Sequence, residues 1–117
     1  MIEPKLIVSD GTVSTCIEID KRHIDAIANE YWAAKVKHPK FCDEVIPPGF
    51  DFSEEEKRWK KWNDEATTHY ACDLFNEEFY EALNAYQQGD NEHALLELAQ
   101  CGAVILRIME KIDKEME

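Results

Sequence analysis

The chain has 117 residues, enough for one domain that buries roughly two-thirds of its unfolded surface. Its formal net charge of −12 excludes direct binding to nucleic-acid phosphates or anionic membranes by repulsion, and favours a bound cation. The four cysteines are scattered with no C-x-x-C pair, no apolar leader with a basic flank is present, and no apolar run nears the ~18 residues of a membrane span. Reduced thiols in the cytoplasm are therefore expected.

In chain order, residues 1–19 predict a small β-hairpin. Lys5-Leu6-Ile7-Val8 and the stretch from Thr12 to Ile19 are rich in β-branched residues, and Asp10-Gly11 between them is a strong turn signal. Asp20 offers an N-cap for a helix over 20–38, with Ile24, Ile27, Ala28 and Tyr31 forming an apolar stripe. Pro39, Pro47, Pro48 and Gly49 make 39–52 a loop. Ser53, with Glu56 three residues on, reads as a capping box that opens a helical stretch over 53–88. That length is unusual for one globular helix, so a break near Asn63-Asp64 or Thr67-Thr68 is expected. Gly89-Asp90 reads as a helix stop followed by an N-cap for a C-terminal helix over 90–115. The last helix is apolar around most of its circumference from Leu95 to Met109, so a partner subunit is expected on one side. The fold class is mainly α: a single domain, 1–117, built as an antiparallel helical bundle with an N-terminal β-hairpin.

Two acidic clusters carry the chemistry. Glu77, Glu78 and Glu81 precede the Gly89 turn, and Glu97 and Gln100 follow it, at spacings of three or four that share a helical face. An antiparallel hairpin sets Glu81 level with Glu97, and Glu78 level with Gln100. Glu78 falls within the apolar arc of Phe75, Phe79, Ala82 and Tyr86, with Glu81 on its flank and Glu77 pointing largely away. A carboxylate there needs a partner, which is Arg107, a lysine or a metal ion. His93, Glu97, Gln100, Arg107 and Lys111 also fit a plain solvated stripe. If Glu78, Glu81 and Glu97 face one another, a cation must offset their repulsion, and Mg²⁺ or Mn²⁺ suits such oxygen ligands. Lys60, Lys61 and Trp62, with Lys57, Arg58 and Trp59, could grip a triphosphate and stack on a base. Alternatively, the two tryptophans are core residues and the cations a solvated face. His69 and Cys72 have no second ligand pair for zinc, and His23, His38 and His93 read as ordinary polar residues.

Glu-Glu-x-x-Glu, fifteen residues, then Glu-x-x-Gln resembles the signature of MazG-like all-α nucleoside triphosphate pyrophosphohydrolases. Residues 76–112, with "EEFYEALNAYQQGD" and "ELAQCGAVILRIMEKID", look like that family's core helical hairpin. The resemblance implies that Glu78, Glu81, Glu97 and Gln100 hold Mg²⁺ or Mn²⁺ and that Glu77 is a catalytic residue that supports the site or helps orient a water. It also implies hydrolysis of an NTP or dNTP to the monophosphate and pyrophosphate, and the apolar last helix makes a homo-oligomer the expected state. The family has aspartate where this chain has Gln100, which removes one charge from the site and admits a degenerate member. Two rivals stand beside it: an acidic binding protein that mimics nucleic acid toward a basic partner, and a structural oligomer retaining the helical core.

Overall fold

The computed structural model describes residues 5–9 and 14–117, and side chains from Ile19 onward. Strands β1 (Lys5–Ser9) and β2 (Ser14–Glu18) pair antiparallel, with Lys5 opposite Glu18 and Ser9 opposite Ser14. The turn expected at Asp10 and Gly11 lies outside the described residues. Four helices follow: α1 (Lys21–Lys37), α2 (Phe52–Glu65), α3 (Ala71–Gln87) and α4 (Asn91–Glu115). The protein is mainly α-helical. No helix among the described residues is long and apolar enough to cross a membrane. The chain divides between Phe41 and Cys42 into two units, each packed within itself.

In the first unit, the carboxylate of Asp20 caps α1 by accepting from the Arg22 amide at 2.9 Å. The Arg22 guanidinium also donates to it at 2.7 Å, and these bonds pull the Asp20 acid down to about 2. The helix closes with His38 N–H donating to Ala34 O, just before Pro39 forbids another turn. The apolar stripe expected on α1 is largely uncovered. None of its residues is buried, and Ile27, Tyr31 and Trp32 are exposed.

In the second unit, α3 packs against both α2 and α4. The long helical stretch over 53–88 is broken at residues 66–70, where Thr67 and Thr68 supply stiff β-branched backbone. An unbroken helix of that length would run about 50 Å and leave its apolar side without a neighbour. The break lets α2 fold back onto α3. The expected cap is corrected: Asp51, not Ser53, is the N-cap of α2, and it accepts from the Ser53 amide at 3.0 Å and hydroxyl at 2.5 Å. Glu56, freed from a capping box, accepts instead from Asn84 of α3. Phe52, buried at the start of α2, stacks with Tyr80 at 6.2 Å between ring centroids. Gln87 ties the incoming loop down, accepting from Phe52 N–H at 3.2 Å and donating to Phe50 O at 2.6 Å.

The α3–α4 turn is a Schellman motif. Gly89 lies at φ +85°, its N–H donates to Tyr86 O at 3.0 Å, and Asp90 N–H donates to Ala85 O at 2.9 Å. Asp90 is also the N-cap of α4, accepting from the His93 amide at 3.1 Å. One residue thus ends a helix and begins the next. Small residues, Ala82 and Ala85 on α3 with Ala94 and Cys101 on α4, are buried in this unit. Side chains this small let helix axes approach closely.

Candidate metal centre

The Gly89 turn fixes the register of the two helices that carry the acids. Glu81 and Glu97 each lie eight residues from it, and Glu78 and Gln100 each lie eleven. Antiparallel packing therefore brings the pairs to matching heights. One carboxylate oxygen from each of Glu78, Glu81 and Glu97 lies within 4.8 Å of the other two. Glu97 is buried, at 6% exposure, while Glu78 and Glu81 are half-buried.

Three carboxylates so close cannot all be charged without a counter-ion. Burial is the main cause that raises Glu78, to about 7, and its hydrogen bond to Glu97 adds to this. Glu81 is raised to about 8 for the same reasons in the same order. For Glu97, burial pulls upward, but hydrogen bonds with Glu78, Glu81 and His93 outweigh it and hold that acid below its ordinary range. Burial and the shared hydrogen bonds thus favour the protonated form of Glu78 and Glu81 and the ionised form of Glu97. Cys101, buried beside them, has its thiol pushed up to about 11 by burial and then by the charges of Glu78 and Glu97.

Gln100 closes one edge. With its amide nitrogen turned inward it donates to Glu97 Oε2 at 2.9 Å and to Glu78 Oε2 at 2.6 Å. With its oxygen inward it faces only acceptors, an arrangement that a cation would relieve. His93 Nε2 lies 3.0 Å from Glu97 Oε1, and its Nδ1 lies 3.8 Å from Asp90. Sequence reasoning passed over His93 as an ordinary polar residue, although its four-residue spacing to Glu97 was the available signal.

Glu77 is not one of the three carboxylates that meet. Its Oε1 accepts from Asn63 Nδ2 at 3.0 Å, so α2 holds it. Arg107 is exposed, and the cation that draws Glu78 back down is Lys60 on α2. Lys61 is exposed on the same helix. Trp62 is neither core nor part of the cluster: it is 60% exposed, and its indole donates to Asp73 Oδ2 at 3.1 Å, one turn before Glu77. Trp59 is half-covered, with the Arg58 guanidinium 5.7 Å from its ring. Cys42, Cys72 and Cys101 are free thiols.

The donor set is hard. Oxygens of Glu78, Glu81 and Glu97 with the Gln100 amide suit Mg²⁺ or Mn²⁺ better than a thiophilic ion. No known protein family, curated protein or solved structure matches the chain.

Proposed function

We propose that this protein binds Mg²⁺ or Mn²⁺ at Glu78, Glu81 and Glu97, with Gln100 at the edge, and hydrolyses a nucleoside triphosphate on a MazG-like helical core. The observation that carries the reading is the meeting of three carboxylates, one of them deeply buried, across α3 and α4. Glu78 and Glu81 would have to give up any protons they hold to ligate a cation there. When bound, it would neutralise charge on the triphosphate.

The chain's own groups do the rest. Glu77, held outside the cluster, accepts a proton from a water whose oxygen bonds to the α-phosphorus. The bond from that phosphorus to the bridging oxygen breaks, and pyrophosphate leaves with the electron pair. Lys60, whose charge already reaches Glu78, is placed to meet a phosphate that approaches the acids. The weaker assignments are Lys61 as a second phosphate contact and Trp62 as a surface for the base. Such a substrate belongs to the cytoplasm, and a second copy of the chain covers the exposed leucines of α4.

The meeting of Glu78, Glu81 and buried Glu97 at one place favours this reading over a nucleic-acid mimic, which spreads its acids over an open face. A second reading is supported by Gln100. With its nitrogen inward it satisfies Glu97 and Glu78 without any cation, as a structural relative that has lost turnover would.

A screen of the eight common ribo- and deoxyribonucleoside triphosphates for pyrophosphate release, with and without Mg²⁺, separates the two. Metal-dependent release that E97Q abolishes supports hydrolysis. No release from any of them leaves the structural reading. In the same protein, Gln100→Asp should tighten Mn²⁺ binding about tenfold in calorimetry, because it returns a charge to the site. Unchanged or weaker binding would remove Gln100 from the ligand set.

A further inference from the structure

Asn63 is the polar side chain on α2 that burial and the proposed chemistry leave unexplained. It is 6% exposed. Its Nδ2 donates twice, to the backbone oxygen of Asp73 at 3.1 Å and to Glu77 Oε1 at 3.0 Å. Its Oδ1 is buried with no hydrogen-bond partner among the described residues. A buried amide with an empty acceptor is unfavourable, and an aliphatic side chain would fill the space without that cost. The two donated bonds are what distinguish asparagine here.

We propose that Asn63 is a positioning residue for Glu77 in the hydrolysis described above, on which this inference rests. A free glutamate swings about three torsions, and one next to Glu78 could fold onto a bound cation as a further ligand. Asn63 prevents this. The Asp73 carbonyl fixes the amide, the amide fixes Oε1 of Glu77, and Oε2 is left as the oxygen free to accept a proton. Glu77 stays close enough for its charge to be felt by Glu78 and Glu81, yet it is tethered to α2 rather than to the cluster. The arrangement keeps a base from becoming a ligand.

The test is a double-mutant cycle on pyrophosphate release with Mg²⁺ and the eight common nucleoside triphosphates, with Mn²⁺ affinity measured in parallel. N63A is used, and N63D, which keeps the shape without the donor, replaces it where N63A does not fold. In the wild-type background kcat should fall about a hundredfold, while KM and the Mn²⁺ Kd stay within about twofold. In an E77A background the same substitution should change kcat by less than about twofold, because its effect passes through Glu77. A wild-type kcat in N63A overturns the assignment alone. An equal loss with and without Glu77, or a loss confined to Mn²⁺ affinity, overturns it too. No release by the wild-type protein overturns the hydrolase reading and this inference together.

Discussion

Glu78 and Glu81 hold their protons to higher pH than ordinary carboxyls because burial penalises their charge and Glu97 beside them accepts their hydrogen bonds. The sign of the resulting pH dependence follows. Both acids rise from an ordinary 4.5 to about 7 and about 8 on folding, so between those values the folded chain holds more protons than the unfolded one. Stability is then fully present below about 4.5 and is lost as pH climbs through 7 to 8. Glu97 is shifted the other way, so its contribution fades below its ordinary value, outside that window. In chelator, the thermal midpoint should fall as pH rises from about 5 to about 8.5, and E81Q should flatten the decline. Saturating Mn²⁺ should raise the midpoint more at pH 8 than at pH 6, where it must displace protons. A midpoint that is flat or rising over this range would mean that the three acids do not share protons.

At the scale of the element, the α3–α4 hairpin depends on a single backbone conformation. Gly89 holds φ at +85°, where a Cβ is strained whatever the surrounding space, and nothing else lies within 4 Å of one built there. Gly89→Ala should therefore cost about 1–2 kcal/mol from backbone strain alone. Urea unfolding of the two proteins measures it, and a loss below about 0.3 kcal/mol would show that the turn relaxes into another form. Because the turn also sets Glu81 against Glu97, that relaxation would weaken Mn²⁺ binding in the same protein.

On the scale of the whole molecule, α4 has more apolar surface than its neighbour covers. Leu95 is 68% exposed, and Leu98, Ile105 and Ile112 are also exposed. With Gly102 and Met109 they fall at alternating spacings of three and four, the seam of a helix that packs lengthwise against another. No charged residue interrupts that seam, so the −12 of the chain does not bar a second copy from lying along it. Light scattering should give at least twice the 13.6 kDa of one chain, and Leu98→Glu should return the mass toward a single chain. A wild-type mass of one chain at tens of micromolar would rule out this self-association.

Period and punctuation in the sequence determined the helices. Spacings of three and four marked α1, α3 and α4, prolines marked the loop before α2, and Gly89-Asp90 marked the hairpin with its register, because these signals act over one or two turns of backbone. The level pairing of Glu81 with Glu97 and of Glu78 with Gln100 followed from counting outward from that glycine. Contacts between helices far apart in sequence were decided by tertiary packing: Asn63 on Glu77, Lys60 near Glu78, and Glu56 on Asn84. Each depends on where α2 folds back and on its rotation about its own axis. Packing against α3 sets that angle, and no local pattern in α2 encodes it. The cap of α2 falls at Asp51 for a related reason: Ser53 carries a strong local signal, but Gln87, thirty-five residues beyond Phe52, accepts from the Phe52 amide where the helix begins.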